Sequence, residues 1–64
     1  MKYVVVDTKS NGNEFEIGVY NTPEEATKAA RNAYESMSAY DRARSNIEIR
    51  VGDDITCYDT IEWK

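Results

Sequence analysis

Hydrophobic positions change period twice along this 64-residue chain. Lys2 to Asp7 contains three consecutive valines, a β-branched run of strand length, and Glu14 to Tyr20 alternates apolar and polar residues with the period of two that a half-buried strand requires. Between them, Asn11 and Gly12 tolerate the positive φ of a type I′ turn, so the pattern predicts a hairpin closed by a two-residue reversal. That turn sets Val4 opposite Val19, Val6 opposite Ile17 and Thr8 opposite Phe15 on one side of the sheet. The other side then receives Tyr3 opposite Tyr20, Val5 opposite Gly18, Asp7 opposite Glu16 and Lys9 opposite Glu14. A slip by one residue would place Asp7 against Ile17, which a one-sided core disfavours.

From Thr22 onward the period becomes helical. The Thr22 hydroxyl can cap a helix, Pro23 suits the first turn where its missing N–H is not needed, and Glu25 completes a capping box. Ala26, Ala29, Ala30, Ala33, Tyr34, Met37 and Tyr40 recur at steps of three and four, while Lys28, Arg31, Asn32 and Glu35 fall on other faces. Ser38-Ala39-Tyr40-Asp41 reads as a second capping box and leaves two courses open. Either the helix breaks near Ser38 and restarts as a short turn through Arg44, or it runs on unbroken. Ile47, Ile49 and Val51 then alternate with Glu48 and Arg50, Gly52-Asp53-Asp54 reads as a turn, and Ile55 to Trp63 as the last strand. A three-residue loop sets Val51 opposite Ile55 and Ile49 opposite Cys57. Asp59 then falls opposite Ile47, where a bulge or the end of pairing is expected.

Together these elements predict an α+β fold in the order ββαββ: a four-stranded antiparallel sheet with one helix packed on one face, forming a single domain over residues 1–64. Strand order is not fixed by the pattern, although Lys2 to Asp7 reads as central. The alanines let the helix lie close on Val4, Val6, Phe15, Ile17, Val19, Ile47, Ile49 and Val51. The open side then shows Tyr3, Val5, Tyr20 and Tyr58, beside Glu48, Arg50 and Thr56. Three tyrosines and a valine on a flat face point to a contact surface, because tyrosine gives large amphipathic area at low entropic cost. Equally, cross-strand aromatic pairs stabilise a sheet by about 0.2–1 kcal/mol each without any partner.

Composition narrows the chemistry. A chain this short sits near the lower limit for a single unstapled core, and Cys57, the one cysteine, excludes an internal disulfide and reads as a small buried hydrophobe. The absence of histidine removes the usual general base and the commonest transition-metal ligand. No apolar run approaches the roughly 18 residues of a membrane span, and MKYVVVD is too short and too soon charged for a secretory signal, so a cytoplasmic protein is expected. The net charge of −4 is divided unevenly: −3 over residues 1–27, +2 over 28–50 and −3 over 51–64. Nucleic acid has little reason to bind such a surface, since phosphate affinity rests on clustered Lys and Arg.

The carboxylates Asp53, Asp54, Asp59 and Glu62 are the only candidates for acid/base or metal chemistry, and Gly-Asp-Asp between two strands is also what a polar turn looks like. No phosphate-cradling glycine loop and no nucleophile with a base is present, so neither enzyme activity nor a cofactor or metal is expected. Arg42 and Arg44 could grip an acidic partner or a phosphate, yet cations near a helix C-terminus complement its dipole in any case.

MKYVVV, a turn, an alternating strand and T-P-E-E-A-x-x-A-A resemble the opening of HicB-like antitoxins, over about residues 1 to 37. The chain departs from that family in having no Pro-and-Gly segment before Thr22 and no C-terminal DNA-binding extension, so no functional residue carries across. Tyr20-x-Thr22-x-Glu24-Glu25-Ala26, the aromatic Tyr34 and Asp41-Arg42-x-Arg44 are similar to a class of small bacterial ββαββ proteins encoded on mobile elements. The resemblance implies the fold and no particular activity. The function expected is a non-enzymatic module that binds a protein or forms a homodimer through the open sheet face of Tyr3, Val5, Tyr20, Tyr58 and Arg50. The alternative is an antitoxin-like acidic inhibitor that blocks a nucleic-acid-binding protein.

Overall fold

The computed structural model describes residues 1–54 and 57–63. Among these, six elements follow in order: β1 (Lys2–Lys9), β2 (Glu14–Tyr20), α1 (Pro23–Glu35), α2 (Ala39–Arg44), β3 (Ser45–Asp54) and β4 (Cys57–Ile61). The strands form one antiparallel sheet in the order β2-β1-β3-β4 with the helices on one side, so the fold is α+β and the valine-rich strand is central.

Helix α1 starts as its sequence dictates. Thr22 is extended, its Oγ1 accepts from the Glu25 amide at 3.2 Å, and the same hydroxyl donates to Glu25 Oε1 at 3.1 Å. Of the two courses left open at Ser38, the helix takes the break: Ser38 Oγ accepts from the Asp41 amide at 3.2 Å and caps α2. Arg42 of α2 then turns back on α1. Its Nε donates to the Tyr34 carbonyl at 3.0 Å and Nη2 to that of Glu35 at 3.1 Å, while the guanidinium lies 4.7 Å from the Tyr34 ring centre. A cation thereby meets two carbonyls at the end of α1, of which that of Tyr34 also accepts from the Met37 amide at 3.2 Å. The arginine complements a helix terminus as expected, but the terminus belongs to the preceding helix.

The hairpin corrects the two-residue turn. Lys9 N–H donates to the Asn13 carbonyl at 2.7 Å and Gly12 N–H to the Lys9 carbonyl at 2.9 Å, so Ser10 to Gly12 form a three-residue reversal. Within this reversal only Gly12 has positive φ (94°), whereas a type I′ turn needs it at Asn11 as well. Near the turn the pairs are therefore Thr8 with Glu14, Asp7 with Phe15 and Val6 with Glu16. A bulge at Ile17 absorbs the difference, and beyond it Val5 with Gly18, Val4 with Val19 and Tyr3 with Tyr20 pair as predicted.

A larger correction concerns which face the helix covers. Val5, Ala26, Ala30 and Ile49 are fully buried together, with Ile47 and Trp63, and Tyr3, Tyr20, Val51 and Ile61 pack around them. The odd-numbered side of β1 is the roofed one, and Tyr3, Val5 and Tyr20 lie beneath the helix rather than on the open face. The cause is the β1–β3 register. Ile49 pairs with Val5, Val51 with Tyr3 and Ile47 with Asp7, so the isoleucine side of β3 selects the odd side of β1. Gly18 assists from β2, because a Cβ there would stand 2.6 Å from the Tyr20 hydroxyl oxygen and 2.9 Å from ring carbons; its absence lets the Tyr20 ring fold back over the strand.

The β3–β4 register also differs from expectation. Ile49 pairs with Ile61, Arg50 with Thr60 and Val51 with Asp59, and β3 runs through Gly52 to Asp54, which pairs with Cys57. The predicted turn at Gly52-Asp53-Asp54 is thus strand, and the partners expected for Ile49 and Ile47, Cys57 and Asp59, are displaced along β4. Val51, expected opposite Ile55, pairs with Asp59 instead, and the place of Thr56 lies outside the described residues. The shift carries Trp63 to the core: its Nε1 donates to the Ile47 carbonyl at 2.6 Å, and its ring meets that of Tyr34 at 5.5 Å between centres.

Candidate interaction surface

The uncovered side of the sheet is built from the residues that alternate with the core. β1 contributes Val4, Val6 and Thr8, β3 contributes Glu48 and Arg50, β4 contributes Thr60, and β2 contributes Glu14, Glu16, Ile17 and Val19. Of the residues expected to form the contact, Arg50 is here. Tyr3, Val5 and Tyr20 belong to the opposite, roofed face, and the side chain of Tyr58 lies outside the described residues.

A polar network crosses the middle of this face. Arg50 stands beside Val4 of β1, while Glu14 stands on the far side of β1 beside Thr8, so the ion pair between Arg50 and Glu14 must pass over Val6. That explains why Val6 is only 5% exposed although it is no part of the helix-side core. Glu48 Oε1 completes the network, accepting from Arg50 Nη2 at 3.3 Å and from Thr8 Oγ1 at 3.2 Å. The hydrogen bond from Arg50, and its charge, hold the Glu14 carboxyl below the ordinary carboxylate range.

A lowered folded-state value means that the pair's contribution is present above the unfolded-state value and is lost as pH falls through the folded one. In an NMR titration between about pH 6 and pH 2, the Glu14 carboxyl carbon is expected to titrate below the ordinary carboxylate range. In Arg50→Gln its midpoint is expected to rise, and equal midpoints in the two proteins would show that the pair does not form in solution.

Outside this network the face is apolar at one margin. Ile17 is 38% exposed and Val19 48%, next to half-buried Val4, on β2 at the edge of the sheet. Phe15, 53% exposed, sits on the same strand opposite Asp7. Sequence reasoning placed these three in the core because they alternate with glutamates. The contrary signal was Gly18, a residue with no side chain to expose, between them on the other face.

On the roofed side near the turn, Asp7 is 7% exposed and pairs with Lys9 Nζ at 2.9 Å, and that ammonium also donates to Ser45 Oγ at 2.9 Å. The elements that hold Asp7 therefore supply a cation for its Oδ2, while Oδ1 is buried with no hydrogen-bond partner among the described residues. Arg44, the other arginine weighed as a grip, lies 4.6 Å from the Tyr40 ring centre. Among the described residues no group of three or more His, Cys, Asp or Glu is placed to hold a metal. No helix among them is long and apolar enough to cross a membrane. No family model, no curated protein and no solved structure matches the chain.

Proposed function

We propose that the chain is a non-enzymatic module of the bacterial cytoplasm that binds a protein, or a second copy of itself, through the open face of its sheet. The observation that supports this most directly is the pair Ile17 and Val19, side by side, exposed, and on the face no helix covers. A domain with so little interior leaves apolar side chains outside at a cost of about 1 kcal/mol or more each, which an interface recovers. The tyrosines first expected there are used in the core, so the contact is smaller and more aliphatic than an aromatic platform. An acidic-inhibitor role would use the same margin, since Glu14 and Glu16 border it on the same face.

The test replaces Ile17 and Val19 together by serine. Surface changes of this kind alter stability by about 0.5 kcal/mol or less, so the variant is expected to keep its circular dichroism spectrum and to lose association. Sedimentation of both proteins over a range of concentrations reads self-association, and capture from the native host reads partners. A parent that stays monomeric and captures the same proteins as the variant refutes the proposal. Loss of a captured partner with rising salt marks a contact through Glu14 and Glu16, and retention one through Ile17 and Val19, because screening weakens charge contacts and spares apolar ones.

A further inference from the structure

We infer that the free margin of β2 receives an extended segment of a partner protein, laid antiparallel, with an apolar side chain followed at alternate positions by two lysines or arginines. This rests on the reading of the open face as a binding surface and adds the partner's conformation and charge.

The conformation follows from the sheet. β2 is a terminal strand, so the peptide groups facing away from β1 form a row of donors and acceptors that a further strand matches. Edges of this kind are commonly guarded by lysine or proline, and residues 13–20 contain no Lys, Arg or Pro. The bulge at Ile17 is the one interruption, and it divides the margin into two zones on the open face. Toward Tyr20 lie Val19 and Ile17; toward the turn lie Glu16 and Glu14. Glu14 shares Arg50 with Glu48, and Glu16 has no ion-pair partner among the described residues.

The charge follows from those zones. A strand added in the register that β1 uses on the inner side places one residue beside Val19, the next but one beside Glu16, and the next but one again beside Glu14. Cross-strand neighbours stabilise when opposite in charge and destabilise when alike. A second copy serves poorly, because its own β2 brings two further glutamates to the seam and none of β1, β2 and β3 carries two cations at alternate positions. Nucleic acid is excluded by the same carboxylates.

The probe is the blocked peptide TITKVKT, whose isoleucine, first lysine, valine and second lysine would stand beside Val19, Glu16, Phe15 and Glu14. It is titrated into the isotope-labelled intact protein alongside TITEVET and the reversed sequence TKVKTIT. The lysine peptide is expected to shift the amides of residues 14–20, to slow hydrogen exchange of those facing outward, and to bind about tenfold more tightly than the glutamate peptide at low salt. The reversed peptide is expected to bind more weakly than the forward one. Equal binding by the lysine and glutamate peptides overturns the inference, as does the absence of any response on β2. Shifts at Val4, Arg50 and Thr60 without slowed exchange on β2 overturn strand addition while leaving the open face as a binding surface. Protection of β2 amides by self-association, with no peptide present, names a second copy as the occupant and likewise overturns it.

Discussion

Trp63→Ala is expected to remove most of the stability of the fold. Removing a buried tryptophan typically costs about 3–5 kcal/mol, and domains of ordinary size hold only about 5–15 kcal/mol in total, with the smallest at the low end. Trp63 is 8% exposed at the end of the chain, with its ring against Tyr34 and its indole N–H on the Ile47 carbonyl. The ring closes the space between α1 and β3. Trp63→Phe separates the two roles, since it keeps a ring in the cavity and leaves the buried carbonyl unmet, a loss of about 1–3 kcal/mol. Urea titrations followed by far-ultraviolet circular dichroism measure both. An alanine variant within about 1 kcal/mol of the parent would mean that the C-terminal residues do not dock as described, because burial of this size cannot be lost without a large cost.

The consequence for function is indirect but firm. The open face is presented by β2 and β1, and these are held flat against α1 by Val5, Tyr3 and Tyr20 from below. A core failure at Trp63 would therefore remove the proposed binding together with folding. Ile17 and Val19, which the core does not use, are the positions where the two can be separated.

Elements with strong local chemistry were legible in the sequence. The capping box at Thr22, the second at Ser38 and the alanine stripe each need only residues within a few positions of one another, and each is where it was expected. The hairpin was half legible. A three-residue reversal and a bulge at Ile17 shift the register in opposite senses, so Tyr3 and Tyr20 still pair although the turn type was wrong. The face assignment was not legible from the hairpin alone. Val4, Val5 and Val6 offer an apolar residue to either side, so β1 carries no periodic signal, and β2 alternates strongly in the misleading sense because it lies at an exposed edge. The deciding information is nonlocal: Ile47 and Ile49 are apolar on one side only, and they pair across β1. The position of Trp63 was hidden for the same reason, since it depends on how far β4 slides along β3.

That nonlocal pairing has a direct experimental signature in neighbouring residues of comparable type. Ile49→Ala is expected to cost about 2–5 kcal/mol, because the side chain is fully buried against Val5, Ala26 and Ala30 and a close-packed layer cannot collapse onto the space left. Val4→Ala, one residue away from Val5 and half-buried on the other face, is expected to cost about 1 kcal/mol or less. Had the even side of β1 been the roofed one, Val4→Ala would approach the cost of a core truncation. Urea titrations of these two variants and Val5→Ala therefore order the faces without reference to coordinates, and a Val4→Ala cost equal to or above that of Val5→Ala would return Tyr3 and Tyr20 to the open side. The described order leaves Ile17 and Val19 outside with Glu14 and Glu16, so a partner on the proposed face would meet aliphatic carbon and carboxylate along one strand.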